Sequence, residues 1–161
     1  MTLLAQSMVL PKNFTANFTQ IVTNPQKKVI KYDGKIQFLA PSRLKWIYKN
    51  PTQKEVCIDH HQMVLVDHDL EQVSYLVIDK EFNFIQILKD AKLHHEKVYV
   101  SKYKEQSYTI KVDSKKQIES IAYFDNLDNK VQIVFKQVKY DKSSLRIQSM
   151  QCKIPKEFDI L

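Results

Sequence analysis

Apolar and polar residues alternate one by one along most of this chain, and that period of two constrains the fold more than any other feature. In FTANFTQIV, Phe14, Ala16 and Phe18 fall on one face and Thr15, Asn17 and Thr19 on the other. In RLKWIYKN, Leu44, Trp46 and Tyr48 alternate with Lys45, Ile47 and Lys49. Successive strand side chains point to opposite faces, so each run reads as a strand with one apolar, aromatic side and one wet side. The pattern predicts strands at 29–32 and 35–39, joined by a hairpin turn at Asp33-Gly34, and at 43–49, 54–59 and 62–66. Asn50-Pro51 reads as a turn. Further strands are expected at 97–103, 107–112, 118–124, 130–138 and 144–152. Their connections, such as 113–115 and 125–129, use Asp, Asn and Ser where other proteins place glycine.

Alternation fails in two places. Residues 2–10 read as a short helix ended by Pro11. Between Asp79 and Lys92, the residues Phe82, Ile85, Leu88 and Lys92 recur at helical spacing, which predicts a helical segment at about 79–94. With no linker or repeat, residues 1–161 read as one domain closed by a C-terminal segment, 153–161. The expected architecture is mainly β: an incomplete, half-closed antiparallel barrel of about 11 strands. A sheet that large with one apolar face needs a cover, and the helical segments are the candidates. A half-closed barrel with a lid over an apolar cavity is a container.

Composition excludes several activities. Gly34 is the single glycine in 161 residues, so a P-loop, a GxGxxG turn and a G-x-S-x-G elbow are all impossible. No catalytic residue, cofactor or metal site is expected. His60-His61 and His94-His95 are adjacent pairs whose rings point to opposite faces of a strand; Asp59, His61 and His68 can still meet across a hairpin. Asp67, Asp69 and Glu71 read as a polar turn. The net charge of +7 favours an anionic partner, although the cations are scattered singly along the strands. Cys57 and Cys152 either form a disulfide or remain free thiols, since spacing alone does not reveal geometry. The opening MTLLAQSMVL is a poor secretory signal, consistent with a cytoplasmic protein or with a mature chain given a start methionine.

FTANFTQ, then GKIQFLAPSRLKWIYKNPTQKEV, then DHHQMVLVDHDLEQV, and the ending KIPKEFDIL resemble the outer-membrane lipoprotein carrier family, LolA, over essentially the whole chain. The resemblance implies a non-enzymatic periplasmic chaperone. Such a protein takes triacylated lipoproteins from an inner-membrane ATP-driven exporter (an ABC transporter) and hands them to an outer-membrane acceptor. It implies a monomer without nucleic acid, its signal peptide already removed. An acyl chain of ~15 methylenes left in water costs on the order of 12 kcal/mol, which is the reason for a carrier. Phe14, Phe18, Ile36, Phe38, Leu44, Trp46, Tyr48, Met63 and Leu65 are the expected cavity wall, and Phe82, Ile85 and Leu88 the lid's contribution. The family's lid-latching arginine is replaced by Ala40, which by phase with Ile36 and Phe38 should face inward. The family's D-G turn is Asp59-His60 here.

Two alternatives remain on sequence grounds. The same fold can serve as a sensor or acceptor domain for lipidated envelope proteins. Trp46 and Tyr48 beside lysines can instead stack on bases, making a single-stranded nucleic-acid binder.

Overall fold

The computed structural model describes residues 8–77, 84–142 and 144–161. Strands β1 (Asn13–Thr23), β2 (Val29–Leu39), β3 (Arg43–Asn50), β4 (Lys54–Asp59), β5 (Gln62–Asp67) and β6 (Gln72–Val77) follow one another as an antiparallel meander. Helix α1 (Phe84–Lys89) comes next, then β7 (Lys92–His95), β8 (Val98–Tyr103), β9 (Gln106–Val112), β10 (Ile118–Phe124) and β11 (Lys130–Tyr140). A 3₁₀ turn (Ile147–Met150) and β12 (Asp159–Ile160) complete the chain. All twelve strands lie in one sheet, ordered β12-β6-β5-β4-β3-β2-β1-β11-β10-β9-β8-β7. β1 and β11 join its halves, and only β12 runs parallel to its neighbour.

A sheet this wide curls. β3 and β10 stand four places apart in the order, about 19 Å in a flat sheet. Yet the phenols of Tyr48 and Tyr123 lie close enough for their charged forms to repel. The two ends of the order do not pair, so the barrel stays open, as expected.

The Asp33-Gly34 hairpin turn is corrected. β2 is continuous from Val29 to Leu39, and Gly34 sits within it, opposite Phe18 on β1 and Tyr48 on β3. A Cβ at Gly34 would lie 1.8 Å from the carbonyl oxygen of Ile47 and 3.1 Å from Cε1 of Phe18. The glycine thus serves close approach: it lets Phe18 meet Trp46 and Tyr48 edge-on, at ring separations of 5.0 and 5.2 Å.

The real turns manage without glycine. Lys27, Lys116 and Asp128 adopt positive φ of 64°, 61° and 60° in the β1–β2, β9–β10 and β10–β11 connections. In each, an Asn or Asp side chain four residues before the turn's end accepts a backbone N–H at that end: Asn24 from Lys28, Asp113 from Gln117, Asp125 from Asn129. These local bonds offset the cost of a left-handed backbone at a residue with a Cβ.

The strand expected at 144–152 is also corrected. That segment holds the 3₁₀ turn and belongs to a tail lying across the outer face of β2 to β5. Cys152 forms a disulfide with Cys57 on β4 (Cα–Cα 5.8 Å), a link spanning 95 residues. Met150, Cys57, Val66 and Val73 are buried on this outer side. Lys45, expected on a wet face, is buried there as well; its Nζ donates to the carbonyls of Ser149 and Gln151 and lies 3.5 Å from Glu55. Of the predicted helix at 2–10, residues 2–7 lie outside the described residues and 8–10 are not helical.

Gly34→Ala is expected to cost about 3 kcal/mol or more, because the clash is with backbone rather than a movable side chain. Urea unfolding of the variant checks this, and a loss below about 1 kcal/mol would contradict the close-approach reading.

Candidate functional site

The inner face of the curled sheet is a trough, built by every second residue of its strands. Phe14 and Phe18 of β1, Ile36 and Phe38 of β2, and Leu44 and Trp46 of β3 converge there, each at most 8% exposed. Opposite stand Tyr99, Ile110, Ile121, Ile133 and Phe135, also buried. The expected wall residues therefore come together, but they form only one side. The far wall went unassigned, although IES-IAYF and KVQIVFKQV carry the same alternation.

At one end α1 seals the trough. Phe84 stacks on Phe14 (centroids 5.9 Å, planes 12° apart) and tilts against Phe38 at 5.8 Å. Phe14 in turn meets Phe135 and Tyr140 edge-on. Ile87 and Leu88 are buried beside them. Leu88 is thus where the sequence placed it. Phe82 and the side chain of Ile85 lie outside the described residues. Lys92 is not on the helix but in β7, and it is exposed. Phe84 and Ile87, which also stand at helical spacing with Leu88, were not assigned from the sequence.

Ala40 does not face the trough. β2 ends at Leu39, and Ala40 is exposed in the turn to β3, joined to Pro41 by a cis peptide, its N–H donating to the Lys12 carbonyl. Phase cannot be carried past a strand end. Arg43 lies on the outer face and pairs with Asp59 at 3.2 Å. The contacts seen to hold α1 in place are those of Phe84, Ile87 and Leu88.

The opposite end is lined by phenols. Tyr32 packs on Tyr48 (5.8 Å) and Tyr108 on Tyr123 (5.1 Å). Tyr103 lies near Tyr108, completing a band of five tyrosines across the trough. Burial raises the Tyr48 hydroxyl well above its ordinary range, and the neighbouring phenols of Tyr123 and Tyr32 push it further. Its O–H donates to Gln20 Oε1 at 2.8 Å. Burial, with Tyr108 and Asp125 nearby, pushes Tyr123 up to about 12.

Along the β4–β6 flank the trough is less closed. Met63 and Leu65 are half-buried, and Leu76, opposite Met63, is half exposed. The histidines form no ligand set: His68 Nε2 contacts Glu55 (2.8 Å), and His60, rather than His61, contacts Asp59 (2.7 Å). Among the described residues no cluster suits a metal ion. Trp46 and Tyr48 face the trough, so the base-stacking platform is not presented to solvent.

A curled, unclosed sheet whose aromatic, aliphatic inner face is covered at one end by a small docked helix is the lidded half-barrel that the resemblance implies. The family model described as outer membrane lipoprotein carrier protein LolA matches residues 11–107, and the chain belongs to that family of carriers, which are not enzymes. The outer-membrane lipoprotein carrier protein of Campylobacter jejuni is 36% identical over 149 residues, covering 92% of this chain and 85% of the relative. That of Helicobacter hepaticus is 33% identical over 128 residues, or 80% and 72% of the two chains. Among solved structures, an uncharacterized conserved protein from Thermus thermophilus has a TM-score of 0.60 at 9% identity, covering 94% of this chain and 91% of that one. A LolA superfamily protein from Nitrosomonas europaea has a TM-score of 0.51 at 8% identity, covering 90% and 92%. These two share the fold.

Two outcomes follow. Phe84→Ala removes the anchor of a helix too short to persist alone, at about 3 kcal/mol. Amide exchange in residues 84–89 should therefore accelerate about a hundredfold while the β1–β2 amides stay protected; uniform acceleration would mean α1 is not a separable lid. Second, the neutral buried phenols of Tyr123 and Tyr140, both pushed up to about 12 from 10.0, contribute stability that is complete below pH 10 and lost as pH rises to 12. Urea unfolding repeated at pH 9, 10.5 and 12 should show the loss over that range; stability unchanged from pH 9 to 12 would contradict it.

Proposed function

We propose that this protein is a periplasmic lipoprotein carrier, holding acyl chains between the inner face of the sheet and α1. The observation that carries the reading is the Phe84–Phe14–Phe38 contact, in which apolar rings pack the lid on the trough. An acyl chain can replace Phe84 against Phe14 and Phe38 with little change in buried apolar area, so loading trades one apolar contact for another. Apolar contact is not directional, so the trough accepts chains of differing length and releases them when a better apolar acceptor is offered.

Phe14, Phe18, Ile36, Phe38, Leu44, Trp46 and Tyr48 form the binding wall in this reading. Met63 and Leu65 line the half-open flank through which a chain enters. Lacking a nucleotide site, the carrier draws its loading energy from an inner-membrane ABC exporter and delivers to an outer-membrane acceptor. The Cys57–Cys152 disulfide supports an oxidising compartment.

The test uses Trp46, the single tryptophan, as reporter. A triacylated lipopeptide should change its emission saturably, and the same peptide without acyl chains should not. Leu44→Glu, placing a charge in the wall, should abolish the response while the far-ultraviolet circular dichroism keeps its strand signature. An unchanged Trp46 spectrum at saturating lipopeptide would overturn the proposal.

A further inference from the structure

The end of the trough away from α1 carries a surface that holding acyl chains does not explain. The turns 24–28 and 125–129 lie side by side there, because Thr23 pairs with Lys130 across β1 and β11. Phe124 pairs with Lys130, Lys130 with Thr23, and Thr23 with Val29. Phe124 and Val29 thus share one face, about 14 Å apart. Both are more than half exposed, Ile30 is half exposed, and Leu127 in the second turn is 77% exposed. Turns usually carry small polar residues, so Leu127 on one tip, with Phe124, Val29 and Ile30 exposed at the strand ends beside both, calls for a partner.

Charge says which partner. Lys27, Lys28, Lys31 and Lys130 are all exposed around these side chains. The carboxylates of the two turns are Asp125 and Asp128. Asp125 is turned inward, its Oδ1 accepting the N–H groups of Leu127 and Asn129. Behind the tips, the inner row Tyr123, Val131, Val22, Ile30 runs into the tyrosine band. Protruding apolar tips, a collar of lysines and a layer of phenols behind them follow the order of polarity across a bilayer interface.

We propose that this end of the molecule docks on an anionic phospholipid bilayer, with Leu127 and Phe124 entering the interfacial layer and the four lysines meeting lipid phosphates. An acidic protein surface would pair with the lysines but would need matching pockets for two separate tips, whereas lipid yields to any shape. The proposal rests on the carrier reading for its purpose, since a carrier must meet a membrane, but its test needs no cargo.

The full chain is sedimented with vesicles of phosphatidylcholine alone and with vesicles containing phosphatidylglycerol. Binding is expected to the second only, and to weaken about tenfold or more at high salt. Leu127→Asp with Phe124→Ser should abolish it, as should Lys27→Glu with Lys28→Glu. Both variants should keep the Trp46 response to lipopeptide, which separates docking from carriage. The proposal is overturned if neither vesicle binds, if both bind equally, or if the variants bind like the parent. It is equally overturned if the tip variants merely turn a dimer into a monomer, or if an acidic polypeptide binds these tips and vesicles do not.

Discussion

The stacking of Phe84 on Phe14, with Phe38 alongside, keeps one end of the trough out of water. A curled sheet cannot bury its whole inner face against itself, and six residues of helix cannot stand without something to lie on. Each solves the other's problem. Because the ring contacts of Phe84 with Phe14 and Phe38 are apolar, the same contact that stabilises the empty molecule can be exchanged for a hydrocarbon chain. The absence of an arginine at position 40 is then less a missing part than a different means of closure.

Much of this was legible in the sequence. The strands β1, β3, β4 and β5 follow directly from alternation, and with the two flanking runs of β2 they give one wall of the trough. Errors arose where a local rule met a tertiary demand. Asp33-Gly34 carries a hairpin dipeptide, but Phe18, Trp46 and Tyr48 needed a position without a Cβ, and the glycine was spent on packing. Ala40 had the right phase and the wrong side of a strand end.

The outer-face layer was the largest omission, although a signal for it existed. QMVLVD and QVSYLV are not cleanly alternating; consecutive apolar residues imply burial on both faces. Val66 and Val73 are outward members of those runs, and both are fully buried, whereas Tyr75 and Val77 on the same side of β6 are exposed. What sequence could not supply was the identity of the cover. The tail reads as a strand at 144–152 but forms one only at Asp159–Ile160, and its attachment depends on a disulfide and a buried lysine whose partners are distant in sequence.

That outer layer divides the molecule mechanically. The β2 to β6 side is backed by the tail, cross-linked through Cys57 and Cys152 and edged by β12, so bending it means shearing two packed layers. On β8 and β9, by contrast, the outward residues Lys102, Ser107, Thr109 and Lys111 are exposed, adjacent strands are joined by short turns, and the edge strand β7 is exposed. When bulky cargo wedges the trough apart, compliance belongs to this thinner half. The stiff half then acts as a fixed jaw, and the volume available to a ligand is set by how far β7 to β10 can swing away from it.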